Sequence, residues 1–142
     1  MRIFLSGAIE GVDDLAGGWR KRANDELDFR NSSYDYEIVS PLISFDQQVF
    51  REPNEIVHRN MLLQQSCDLL LVEYMIPNRC YVGTDFEMAM ARVWHQPVVV
   101  FAHEMYRERV YLRYMATALL PSLDEALEYI QSYFPAELKG KK

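Results

Sequence analysis

The regular alternation of short apolar runs with stretches of helical spacing constrains the fold of this 142-residue chain more than any other feature. Arg2–Ser6 (RIFLS) reads as a strand ended by Gly7, Trp19–Phe29 as a helix, and Glu37–Ser40 (EIVS) as a short strand stopped by Pro41. Helical spacing returns over Asn54–Cys67, opened by Pro53 with Asn54 as the expected cap. Asp68–Tyr74 (DLLLVEY) and Pro97–Ala102 (PVVVFA) are continuous apolar runs, the pattern of strands buried on both faces. Between them lies a helix over Thr84–His95. After them come a helix around Glu104–Ala118, a short run at Leu119–Leu120, and a last helix that starts at a Ser122–Glu125 capping box and ends near Phe134. This order predicts an α/β fold, a parallel sheet with helices on both faces and right-handed crossovers. In such sheets ligands bind beyond the carboxyl ends of the strands, where strand order reverses. The loops to search for chemistry are therefore Gly7–Gly18, Pro41–Pro53, Met75–Val82 and the stretch from His103.

Length and charge narrow the function. At roughly 100–200 residues per domain the chain is one domain, without repeats, linkers or low-complexity blocks. Fifteen basic residues against 21 acidic ones give a formal charge of −6. A protein that grips DNA or RNA through many phosphates usually carries a positive surface, so no nucleic-acid polymer is expected as partner, while a local basic pocket for one phosphate stays open. No apolar run approaches the ~18 residues of a membrane span, and the N-terminal patch is too short for a signal peptide. No membrane partner is expected, and the expected compartment is the cytoplasm. Cys67 and Cys80 make neither a disulfide framework nor a tetrahedral zinc site, and His58, His95 and His103 lack the spacing of a helical metal pair. No metal is expected.

Two helices carry a polar residue on an apolar stripe. At 100° per residue Glu87 falls between Met90 and Ala91, with Trp94 almost on the same line. A buried carboxylate is unfavourable unless something stabilises it. The helix dipole favours its ionised form and desolvation disfavours it, a balance that suits a reacting acid. The competing account is a capping box, Thr84-x-x-Glu87, in which Glu87 only returns to the Thr84 backbone. Asn60 likewise lies among Ile56, Leu63 and Cys67, either as a satisfied core amide or as a polar group aimed at a ligand.

The first loop gathers Gly7, Gly11, Gly17 and Gly18 before a helix, an arrangement that permits close backbone approach. It matches neither the dinucleotide fingerprint nor a phosphate-binding GK[ST] loop. Arg20 and Arg22 could meet a phosphate, although arginines on a first helix are more often solvated, and Glu10, Asp13 and Asp14 would repel one. Tyr106–Arg113 (YRERVYLR) interleaves basic and aromatic residues, as a stacking surface or, more simply, as a solvated amphipathic helix.

Taken together, IFLSGAIEG, GGWR, CDLLLVEY, GTDFEMAMA and PVVVF resemble the nucleoside 2-deoxyribosyltransferases and the related nucleoside 5′-monophosphate N-glycosidases, over roughly residues 1–102. The most specific match is Gly83-Thr84-x-Phe86-Glu87-x-x-x-Ala91, where the family places its nucleophilic glutamate. The resemblance implies a flavodoxin-like (Rossmann-like) three-layer sandwich with a parallel sheet of about five strands. It implies cleavage of the bond between a base and a sugar, with no cofactor and a small nucleotide or nucleoside as partner. It assigns Glu87 and Asn60 to catalysis, and Gly7, Ile9, Trp19, Asp46, Arg79, Tyr81, Gly83 and Thr84 to substrate binding. A homo-oligomer, dimer or larger, is also expected.

Two positions depart from the family pattern. Asn60 stands where the family often has an aspartate, so it can orient a ligand but cannot protonate a leaving group. General-acid assistance would then come from elsewhere, Asp46 or Glu10, or be weaker. Tyr81 stands where the deoxyribosyltransferases carry an acid for the sugar's 5′ end, with Arg79 two residues away. This favours a 5′-phosphate over a free hydroxyl. A nucleotide sensor that lost turnover is the alternative that Asn60 supports, and a flavin-binding domain of the same architecture finds no specific signature.

Overall fold

The computed structural model describes residues 1–8, 14–41 and 52–135. In chain order they form β1 (Arg2–Ser6), α1 (Asp14–Leu27), β2 (Glu37–Val39), α2 (Pro53–Gln65), β3 (Leu69–Tyr74), α3 (Val82–Val93), β4 (Val98–Ala102), α4 (Val110–Met115), β5 (Ala118–Leu120) and α5 (Leu123–Tyr133). The five strands make one sheet in the order β2-β1-β3-β4-β5, every pair parallel. Strand order reverses between β1 and β3, so the crevice expected to take a ligand opens above Ser6 and Tyr74.

Period-two alternation along the strands builds the two outer layers. Ile3, Leu5, Leu69, Leu71, Val99 and Phe101 pack with Trp19, Ala23 and Leu27 of α1 and with Ala126, Leu127 and Ile130 of α5. Phe4, Leu70, Val72, Val98 and Val100 face the other way, against Leu63 of α2, Met88 and Ala91 of α3 and Leu112 of α4. The same alternation sends Ser6 toward the α3 layer and Glu73 toward the α1 layer. Two polar side chains at adjacent strand ends thus emerge on opposite sides of one crevice.

Helix ends differ from the sequence expectation, most of all at α1, which begins at Asp14 rather than Trp19 and so takes Gly17 and Gly18 into the helix. The cap of α2 is Glu52, whose backbone N–H donates to Glu55 at 2.9 Å, while Asn54 lies exposed inside the first turn. Proline at the first helical position leaves no donor to satisfy there, which lets the helix begin one residue early. The helix expected around Glu104–Ala118 is instead a 3₁₀ turn at Glu104–Tyr106 followed by the six-residue α4. Tyr106 breaks it: the ring is fully buried, and its hydroxyl donates to the Ile76 carbonyl at 2.6 Å and accepts from Arg79 N–H at 3.0 Å. α3 starts at Val82 with Tyr81 as its cap residue, so Thr84 sits within the first turn and caps nothing. Ser122 caps α5 as expected, its hydroxyl accepting from Glu125 N–H at 3.2 Å.

Candidate active site

A cleft of about 500 Å³ lies at the reversal point, lined by Gly7 and Ala8 after β1, Asn60 and Met61 of α2, Arg79–Tyr81 of the β3–α3 loop, and Gly83, Thr84 and Glu87 of α3. Glu87 is the sixth residue of α3. Its Oε2 accepts a 2.5 Å hydrogen bond from the Ser6 hydroxyl, and it does not reach back to Thr84, which removes the capping-box account. Burial pushes the Glu87 carboxyl up to about 7, partly offset by the Ser6 hydrogen bond and by the charge of Arg20. The group can therefore be charged or neutral near neutral pH. That is the range in which a side chain serves as nucleophile or proton carrier.

The backbone beneath it is fixed. The Gln64 side-chain amide donates to the Glu87 carbonyl at 2.8 Å, so α2 pins α3 at the reacting residue. Gln96 in turn donates to the Gln64 and Cys67 carbonyls, each at 2.8 Å. Gly7 has no room for a side chain: an added Cβ would lie 3.0 Å from both Glu73 Cβ and the Trp19 ring. The glycine is what lets β1 run close beside the end of β3.

Glu73 is buried and holds the other wall. One oxygen accepts from Ala8 N–H at 3.2 Å, and the other accepts from Met75 N–H and the Tyr81 hydroxyl, each at 2.6 Å. Burial, with the Glu73 hydrogen bond, raises the Tyr81 hydroxyl well above the ordinary tyrosine value. That hydroxyl also accepts from Ile76 N–H at 2.9 Å, and the ring stacks on Tyr74 at 4.0 Å. Tyr81 lines the cleft with its ring packed against Tyr74 and Tyr106, while its polar end closes the loop. On the far side of α3, the Tyr74 hydroxyl donates to Asp85 at 2.5 Å; burial first, then that carboxylate, raises the tyrosine's pKa as well.

Arg20 is not solvated. It is 3% exposed, donates to the Gly7 and Ala8 carbonyls at 3.3 Å each, and lies 4.7 Å over the Trp19 ring. Burial lowers its pKa to about 10, opposed by the charges of Glu73 and Glu87, so it stays a cation at neutral pH. Arg22, by contrast, is on the surface with Glu26 and Asp124.

Of the residues singled out from sequence, the structure brings together Gly7, Asn60, Arg79, Tyr81, Gly83, Thr84 and Glu87 around one cleft. Trp19 is not in its lining; the ring is buried in the α1 layer, edge-on to Phe101 at 5.4 Å. Ile9, Glu10 and Asp46 lie outside the described residues. The sequence account missed Ser6 and Glu73. A readable signal existed for both: a small polar residue ending β1, and one acid inside an otherwise apolar β3. Among the described residues, no cluster of three His, Cys, Asp or Glu side chains could hold a metal ion. No described helix is long and apolar enough to cross a membrane.

No protein-family model and no curated protein matches the sequence. Solved structures do match the fold. A 2-deoxyribosyltransferase from the psychrotolerant bacterium Bacillus psychrosaccharolyticus superposes with a TM-score of 0.72 at 13% identity, covering 97% of this chain and 98% of that one. A conserved protein from Enterococcus faecalis V583 gives 0.70 at 15% identity, over 94% and 98%. The CMP N-glycosidase BcmB of Clostridium botulinum gives 0.63 at 15% identity, over 94% and 99%. Over nearly its whole length the chain thus has the α/β fold of a deoxyribosyltransferase and of a nucleotide N-glycosidase.

Proposed function

We propose that the protein cleaves the N-glycosidic bond of a small nucleotide or nucleoside, with hydrolysis of a (deoxy)nucleoside 5′-monophosphate to free base and sugar phosphate as its preferred reaction. The observation that carries this is the Glu87 carboxylate, desolvated at the floor of the reversal-point cleft and held by the Ser6 hydroxyl. Its ionised form attacks the anomeric carbon as the base departs with the bonding electron pair, giving a glycosyl ester on Glu87. Water then attacks that carbon and releases the sugar phosphate with the carboxylate restored. The transition state is oxocarbenium-like, and a carboxylate on one face stabilises its positive charge. The likeness of fold to a 2-deoxyribosyltransferase and a CMP N-glycosidase supports the bond class.

The 5′ end is read by the β3–α3 loop. The Tyr81 hydroxyl is committed to Glu73, and Arg79, a cation, is among the residues that line the cleft. Gly83 adds to this, since a side chain there would meet nothing within 4 Å, so the first turn of α3 stays open to a ligand. Exposed Val57, Val82 and Phe86 rim the cleft, which supports a homo-oligomer covering that rim.

Asn60 supports a second account, a nucleotide sensor, because an amide lines the cleft where a proton donor would serve a leaving base. Incubation with the eight common nucleoside monophosphates and their nucleosides, with and without an acceptor base, separates the accounts. Base released without acceptor identifies the hydrolase, and release only with acceptor identifies base exchange. Tight binding of a nucleotide with no base released identifies the sensor.

A further inference from the structure

Beneath the cleft floor lies a buried cation that the bond-cleaving chemistry does not itself call upon. Arg20 projects from α1 under the turn that follows β1. Its two terminal nitrogens donate to consecutive carbonyls, Gly7 and Ala8, and its plane rests on Trp19, which Phe101 holds edge-on. Its Nε finds no hydrogen-bond partner among the described residues. A guanidinium in this position is strongly desolvated, which is unfavourable unless negative charge stands close by. Two carboxylates supply it: Glu73 and Glu87 both act on Arg20 through their charge.

We propose that Arg20 is a positioning residue for Glu87: its paired donors fix the Gly7–Ala8 turn beside the Ser6 hydroxyl, and its buried charge favours the ionised carboxylate. The inference rests on Glu87 being the reacting carboxylate. Among the described residues two cations stand near this cleft, Arg79 in its lining and Arg20 behind the Gly7–Ala8 turn, and Arg20 is the buried one. From β1 Glu87 accepts from the neutral Ser6 hydroxyl; on α2 Asn60 shares its cleft lining and the Gln64 amide binds its backbone carbonyl, and none of these titrates. From the β3–α3 loop come Arg79, Cys80 and Tyr81, the last bound to Glu73. Glu73 stands behind Gly7, its oxygens taken by Ala8, Met75 and Tyr81. On α3 itself Asp85 is turned away to Tyr74. Desolvation alone would drive Glu87 still further toward its neutral form, and Arg20 is the charge that opposes it.

The Glu87 side-chain carboxyl can be followed by ¹³C NMR, with Glu87→Gln identifying its resonance, in wild type, Arg20→Met and Arg20→Lys. Removing the charge should move the titration upward by roughly one pH unit, the lower end of what a nearby opposite charge produces. Arg20→Lys, which keeps the charge, should leave it within a few tenths of a unit of wild type. The acid limb of kcat should follow the same shifts. If Arg20→Met does not fold, Arg20→Gln replaces it, retaining a donor for one of the two carbonyls. An unmoved titration without the charge, or a lysine variant that shifts as far as the neutral one, overturns the proposal. The titration needs no substrate, so a wild type that releases no base from any nucleotide defeats the proposed function while leaving this test intact.

Discussion

At the scale of single residues, Glu87 is unfavourable to the fold that holds it. Its carboxyl stands at about 7 in the folded protein against an ordinary value of 4.5, so the folded state binds the extra proton between those values. Stability contributed by this group is therefore lost as pH rises through that window, by about 3 kcal/mol at 1.36 kcal/mol per unit. Glu87→Gln, which cannot ionise, should gain on wild type by roughly 2–3 kcal/mol between about pH 5 and pH 8. Chemical denaturation of both proteins across that range checks it, and a constant difference would mean that the carboxyl is not desolvated. Glu87 was legible in the sequence because an acid on a 3.6-period apolar stripe is a local pattern. Its partners were not. Ser6 binds it from β1 and Arg20 holds the turn beside Ser6 from α1, and no local spacing relates Ser6 to Glu87 or Arg20 to Gly7.

Strands β1, β3 and β4 were legible almost to the residue, since continuous apolar runs between turn signals leave few alternatives. The region after β4 was not, because Tyr106 acts through tertiary contacts. Its hydroxyl ties Ile76 and Arg79 of the β3–α3 loop to the 3₁₀ turn. Tyr106→Phe keeps the ring but removes the partner of a half-buried carbonyl and N–H, so it should destabilise the protein by roughly 0.5–1.5 kcal/mol. It should also raise KM more than it lowers kcat, because the freed loop carries Arg79 rather than Glu87. Thermal melts and steady-state kinetics on one preparation test both parts; an unchanged KM would separate that loop from substrate binding. On the opposite side of the sheet Asp28 is the corresponding clasp. Burial alone would raise its carboxyl, but the Arg30 guanidinium and the N–H groups of Ile38 and Arg30 hold it below the ordinary range. Its contribution is present at neutral pH and is lost as pH falls through that lowered value. Asp28→Asn should therefore lose stability at pH 7 and little at strongly acidic pH, as urea titrations at the two pH values would report.

For the molecule as a whole, topology and the position of the cleft followed from the alternation of elements, while the proposed preference for a 5′-phosphate rests on one loop. A 5′-phosphate paired with Arg79 in a partly desolvated cleft should favour a monophosphate over its nucleoside by ~2–5 kcal/mol. That is roughly 30- to 5,000-fold in kcat/KM, and equal turnover of a matched pair would point to a free 5′-hydroxyl instead. The central claim is that Glu87 becomes covalently joined to the sugar, and it is tested most directly by intact-mass spectrometry of rapidly quenched turnover, with base release measured in the same samples. Wild type should release base and carry the added mass of the sugar phosphate less one water, and Glu87→Gln should do neither. Base release by Glu87→Gln at more than a few per cent of the wild-type rate, or an adduct on that variant, would contradict the account.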